Sequence, residues 1–169
     1  MTSSRPLSWL RVDAPLADAA TACVTRSFLN GDALSHALSV PAEEFFRFVS
    51  GLLEHSRARG LSVAGLDPDG VPAAVGINTL LEDDFAPSAE LCPTLAPVFA
   101  FLAELSDPDL LPPAAGRRRG HLWMAAVAPE HRGQGLLRQL LRRRLSNLRE
   151  HGADDFVVEA THPHNIGVL

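Results

Sequence analysis

At 169 residues the chain has enough length for one domain with a sizeable core, but not for two. Apolar residues make up 46% of it and charged residues 21%, which argues for a folded chain rather than a disordered one. A formal net charge of -5 argues against wholesale binding to nucleic acid, and no apolar run approaches the ~20 residues of a bilayer span.

The distribution of charge says more than its sum. All 15 basic residues are Arg, nine of them at or after Arg117, and neither Lys nor Tyr occurs. Biased codon usage accounts for the missing Lys. Residues 1–6 are mostly polar and lead into no apolar stretch of the secretory type. Cys23 and Cys92 stand alone, without metal-binding spacing, so both are expected to be reduced, buried thiols of a cytoplasmic protein. No metal site is expected.

Residues 9–12 form a short strand candidate. Asp13-Ala14-Pro15 reads as a helix start, with Asp as cap and Pro in the first turn. Leu16, Ala19, Ala20, Cys23, Val24 and Phe28 then follow a helical period, and Asn30-Gly31-Asp32 breaks it. A second helix is predicted over 41–59, with Glu43 and Glu44 in its first turn and Arg57 and Arg59 in its last, the order a helix dipole favours. Strands over 61–66 and 71–80 flank the turn signal Asp67-Pro68-Asp69-Gly70 and read as a β-hairpin. The segment 82–116 is rich in Pro and Ala, with a helical stretch at 95–105. Arg117-Arg118-Arg119 reads as a solvated loop end. A strand over 121–128, a helix over 135–151 and a strand over 155–161 complete the chain as a parallel crossover unit. A hairpin combined with a crossover predicts a mixed α/β sheet.

The chemistry concentrates in Val127-Ala128-Pro129-Glu130-His131-Arg132-Gly133-Gln134-Gly135-Leu136-Leu137-Arg138. An apolar strand ends, a short loop with two glycines follows, and a helix begins at once. Such a turn aims free backbone N–H groups at one point, at the positive end of a helix dipole, where a pyrophosphate fits. Arg138 and Arg142, one turn apart, could reach a further phosphate.

This string resembles the acetyl-CoA-binding motif of the GNAT superfamily, in which a strand ending in Val-x-Pro leads to Arg/Gln-x-x-Gly-x-Gly/Ala and a helix. Arg132, Gly135 and Leu137 occupy the three defining positions, and Leu137 departs from the usual small residue. The resemblance implies a single GNAT-like domain over 1–169, α/β, with a mostly antiparallel sheet and a parallel, splayed strand pair. It implies acetyl-CoA as acyl donor, held by the loop residues Arg132, Gly133, Gln134, Gly135, Leu136, Leu137 and Arg138. The backbone of Ala125, Ala126 and Val127 would bind the pantetheine arm and acetyl carbonyl, and Asn165 would touch the arm. Residues 61–80, with Ala74-Val75-Gly76, look like the family's central hairpin. Residues 27–34 resemble, more weakly, a stretch of insect-type arylalkylamine acetyltransferases, which would place Asp32 where that subfamily has a catalytic Glu.

The family normally continues beyond Asn165 with a helix and two strands. The expectation is therefore either a shortened chain or a second copy covering the exposed edge as a homodimer. The Tyr that protonates the leaving thiolate in many relatives has no counterpart here. The implied reaction is direct attack of a neutral amine on the thioester, with a base to remove the ammonium proton. His121 is the first candidate for that base, on a strand whose alternation puts it on one face with Trp123, Ala125 and Val127. Asp32 is the second. His162 and His164 lie near the substrate entry, His131 reads as solvated loop, and Trp123 as core or acceptor-pocket wall. The acceptor expected is a small-molecule amine. A protein N-acetyltransferase and an acyl-CoA-binding module without catalysis stand as alternatives.

Overall fold

The computed structural model describes residues 7–105 and 116–159. Asn165, His162, His164 and the end of the last predicted strand lie outside these. The element order is β1 (Ser8–Arg11), α1 (Ala14–Leu29), α2 (Ala33–Ala37), α3 (Ala42–Arg57), β2 (Val63–Leu66), β3 (Pro72–Leu80), α4 (Ala96–Leu105), β4 (Arg119–Val127), α5 (Leu136–Glu150) and β5 (Asp155–Val157). The strands lie in chain order across one five-stranded sheet. All neighbours are antiparallel except β4 and β5, which are parallel and joined by α5.

Local signals set most of these elements. Asp13 caps α1, its Oδ1 accepting from Leu16 N at 3.2 Å. Asp67 organises the β2–β3 turn, its Oδ1 accepting from the backbone N–H of Asp69 and of Val71, each at 2.9 Å. The one helix that sequence reading misses is α2. There Asn30-Gly31-Asp32 does break α1, but Asp32 at once caps a new five-residue helix through Ser35 N at 2.8 Å.

Helices cover both faces of the sheet. On one face α1 and α3 bury Val24, Phe45, Val49 and Leu52 against Val75, Ile77 and Met124. On the other, Leu140 of α5 packs with Val63 and Ala74, and Leu148 with Leu61, Leu80 and Leu122. Each such fully buried side chain contributes about 1.5–3 kcal/mol relative to exposure. All nine residues of β3 are buried, as befits the central strand covered on both faces.

Two irregularities in β4 shape the interior. Ile77 lies opposite Met124, but Thr79 lies opposite His121. Over that interval β3 advances two residues and β4 three, which is a β-bulge at Leu122–Trp123. An extra residue reverses the facing of everything beyond it. The expected common face of His121, Trp123, Ala125 and Val127 is therefore corrected. Trp123 packs on the α1/α3 side, its ring 4.6 Å from that of His121, whereas Ala125 and Val127 pack against Leu140 of α5. The second irregularity is the splay. β5 pairs with β4 only from Arg119–Asp155 to His121–Val157, while β4 runs on to Val127. The Arg run is also corrected in part. Arg119 belongs to β4 and grips Asp155 through Nε at 2.7 Å and Nη2 at 3.0 Å.

Candidate active site

The glycine loop has the predicted form. After β4, Pro129–His131 make one turn of 3-10 helix, and α5 starts at Leu136. Gly133 has φ 76° and Gly135 φ 72°, the left-handed region in which glycine is at ease and other residues are strained. Neither would bring a Cβ within 4 Å of anything, so the loop faces open space. From Gly133 to Arg138 no backbone N–H takes a backbone acceptor among the described residues, and the Gly135 cap of α5 adds no side-chain bond. That row of donors at the positive end of a 15-residue helix is an arrangement that favours an anion.

Arg132 stands outside that row, since its N–H donates to Pro129 O at 3.3 Å. Its Nη2 donates to Ser27 O at 2.9 Å, at the end of α1, and its guanidinium lies where a Cβ on Gly31 would come within 2.8 Å. It thus straps the loop to α1. Arg138 and Arg142 are exposed on α5 and form no ion pair among the described residues.

The loop opens onto a cavity of about 1050 Å³. Gly133, Gly135, Leu136, Leu137, Arg132 and residues 125–127 line it, as do Asp32, His121 and His131, while Gln134 and Arg138 lie outside its wall. The structure thus gathers most sequence-proposed residues around one space. Asp32 spends one carboxylate oxygen on its cap, with Oδ2 accepting from Ser35 N and Ser35 Oγ, both at 2.8 Å. The opposite wall is aromatic. Phe48 lies 5.0 Å from Phe99 and 6.4 Å from Trp123, and Phe85 meets Trp123 edge-on at 6.2 Å. Glu44 of α3 secures the approach to α4, accepting from Thr94 N at 2.6 Å.

His121 is held from both sides. Its Nδ1 lies 2.7 Å from Asp84 Oδ2, and its Nε2 lies 2.7 Å from Glu159 Oε2. The ring is 6% exposed. Burial opposes its charge, but the two carboxylates outweigh burial and raise it to about 9. At neutral pH it is an imidazolium donating to both neighbours. Asp84 also accepts from Trp123 Nε1 at 2.6 Å, Thr79 Oγ1 at 2.5 Å and Phe85 N at 2.8 Å. Burial works against the Asp84 charge, yet these bonds and the imidazolium hold it below the usual carboxylate range. Glu159 is lowered in the same way, with burial opposed by His121. Asp84 and Glu159 both line the cavity, and sequence reading singled out neither. Asp84 ends the acidic run Glu82-Asp83-Asp84, and Glu159 lies two residues past β5; nothing in their spacing ties them to His121.

Arg144, also missed, is 3% exposed and lines the cavity from α5. Its Nε donates to Asn78 Oδ1 at 2.6 Å and its Nη2 to Ile77 O at 2.9 Å. Cys23 and Cys92 are free and buried, and burial pushes both thiols up to about 11. No helix among the described residues is long and apolar enough to cross a membrane.

Residues 97–169 match the model of the acetyltransferase (GNAT) family. The match covers less than half of the chain, and the chain as a whole shares its fold with the solved structures that follow. Solved structures with this architecture include arylalkylamine N-acetyltransferase 2 from Aedes aegypti, 16% identical, TM-score 0.73, covering 97% of this chain and 80% of that one. The C-terminal condensation domain of Ebony, in complex with beta-alanyl-dopamine, is 15% identical with a TM-score of 0.81, covering 96% and 79%. The polyamine N-acetyltransferase of Drosophila melanogaster is 15% identical with a TM-score of 0.72, over the same shares. No curated protein matches the sequence.

Proposed function

We propose that this protein transfers an acetyl group from acetyl-CoA to the primary amine of a small molecule, by direct attack within a ternary complex. One observation carries the reading: the glycine loop and the Asp84–His121–Glu159 cluster open onto the same cavity. The loop offers its N–H row from Gly133 to Arg138 to the donor's pyrophosphate, and Arg132 fixes the loop's position. Acetyl-CoA supplies an activated thioester. The strand backbone at 125–127, past the last rung to β5, would bind the arm beyond the splay.

The cluster serves the acceptor. With His121 charged, two carboxylates leave it one net negative charge, which attracts an ammonium. The aromatic wall of Phe48, Phe85, Phe99 and Trp123 accommodates an apolar body behind that ammonium. An alkylammonium must lose a proton before it attacks, and its pKa is about 10. The base is the form of the cluster in which His121 is neutral, a minority below pH 9; titrating near 9, that form takes the ammonium proton at nearly level energy, which suits general base catalysis. Because His121 is buried with both nitrogens engaged, the proton enters at Glu159 and His121 is its store. Asp84 positions the ring. The named solved structures include an arylalkylamine and a polyamine N-acetyltransferase, and amine acetylation by this chain accords with that company.

The test is turnover of acetyl-CoA across a panel of aryl, alkyl and polyamines, followed by CoA release. Acetylation of at least one amine class, reduced by Glu159→Gln, is expected. Tight CoA binding with no turnover over the whole panel would overturn the catalytic reading.

A further inference from the structure

A charge inside a protein is stable only when it is paired or well bonded. Arg144 breaks that rule halfway. Its Nε and Nη2 are bonded to neutral oxygens of Asn78 and Ile77, Nη1 has no acceptor among the described residues, and no carboxylate there faces it. Burial alone acts on it, pulling the guanidinium down to about 9, so it remains charged at neutral pH. The chain has made room for it. A Cβ on Gly76 would lie 2.5 Å from Arg144 Cδ.

Its place in the fold is specific. Ile77, which accepts its Nη2 bond, lies opposite Met124, three residues past the last rung that joins β4 to β5. The guanidinium therefore sits beside the splay, on the α5 side, and lines the same cavity as Leu141, Val158 and Ala125. From Leu136 to Arg144 is about 12 Å of helix at 1.5 Å per residue, a span that an extended pantetheine chain bridges. The cavity is thus lined both by the net-negative Asp84–His121–Glu159 cluster and by the Arg144 cation.

We infer that Arg144 is the group that stabilises the departing CoA thiolate. The inference rests on the loop being the acyl-CoA site. In the transfer, the amine nitrogen bonds to the carbonyl carbon, the C–S bond breaks, and sulfur keeps the electron pair facing the guanidinium. The ammonium gives up one proton at Glu159 before attack. The attacking nitrogen gives up a second proton to solvent as the amide forms, and solvent returns a proton to sulfur after release. His121 is committed to two carboxylates and does not offer that sulfur a proton. A guanidinium does the work by charge and hydrogen bonding rather than by proton donation.

The experiment compares CoA with desulfo-CoA by calorimetry on the full chain between pH 6 and 9. Other charged or titratable groups that line the cavity are Asp32, Asp84, His121, Glu159, His131 and Arg132. On α5 Arg142 and Arg143 point to solvent, while Gly76 and Asn78 of β3, Leu122 and Ala125 of β4, and Val158 after β5 bring no charge. All of these act on both ligands alike, so the difference isolates the thiol. A free thiol titrates near 8.5, and a shift of one unit is tenfold in affinity. CoA should gain at least about tenfold over desulfo-CoA as pH rises. Arg144→Met should abolish that gain while keeping desulfo-CoA affinity, and Arg144→Lys should restore part of it. Parallel pH curves for the two ligands on the native chain overturn the inference whether or not the variants fold. A gain that persists in Arg144→Met overturns it too. Failure of both ligands to bind at any pH instead refutes the loop assignment, and the inference falls with it.

Discussion

His121 and Asp84 are joined by a 2.7 Å hydrogen bond between Nδ1 and Oδ2, across 37 residues of sequence. Together with Glu159 this makes the His121 charge part of the fold. The folded ring titrates at about 9 and the unfolded one at 6.5. Its contribution is thus complete below pH 6.5 and is lost as pH rises through 9. That difference corresponds to roughly 3 kcal/mol. The lowered Asp84 and Glu159 act with the opposite sign, holding above the ordinary carboxylate range and fading as pH falls. The melting temperature should therefore peak near pH 5–6.5 and drop by roughly 5–10 °C toward pH 9. In His121→Gln the alkaline drop should disappear; a slope unchanged in that variant would show that the ring carries no such charge.

Turnover should follow the same group. If the cluster takes the ammonium proton, kcat/KM climbs with pH and levels off near 9. Glu159→Gln should cost about 10²–10⁴-fold at neutral pH and less at high pH, where the amine is already neutral. Asp84→Asn should lower the pH at which the profile levels off, because the ring loses one of its charge partners. Steady-state pH profiles of the three proteins decide this, and identical profiles would remove the cluster from the reaction.

Gly76→Ala tests the seat of Arg144. The added methyl meets Arg144 Cδ at 2.5 Å and Cγ at 2.8 Å. Overpacking of this kind costs roughly 1–3 kcal/mol. Chemical denaturation should show the midpoint lowered in Gly76→Ala. An unaltered midpoint would mean that the arginine moves aside freely.

Local rules made the loop legible. Val127-Ala128-Pro129 ending a strand, two glycines and an immediate helix state their geometry within nine residues, and Gly133 and Gly135 both adopt the left-handed backbone the motif requires. Asp13 and Asp67 announced a cap and a turn by the same short-range chemistry. His121 was found on its strand, yet its partners were not. Asp84 sits in a connection after β3 and Glu159 past the end of β5, and only the sheet order β3–β4–β5 brings them together. The bulge at Leu122–Trp123 was hidden for the same reason. A strict alternation assumes a regular ladder, whereas an extra residue in β4 turned Ala125 and Val127 to the other face. Nothing in the sequence separates Arg144 from its neighbours Arg142 and Arg143, and only the glycine on the neighbouring strand reveals the groove that buries it.

The central claim is that the N–H row before α5 binds the pyrophosphate of an acyl-CoA. The most direct measurement is calorimetric titration of acetyl-CoA into the native chain and into Gly135→Glu, which sets a carboxylate and a strained backbone at the φ 72° position that caps the helix. The account predicts saturable one-to-one binding to the native chain and loss of at least about 100-fold in the variant, with circular dichroism showing the fold retained. Equal affinity in the two proteins, or no binding by the native chain, would contradict it.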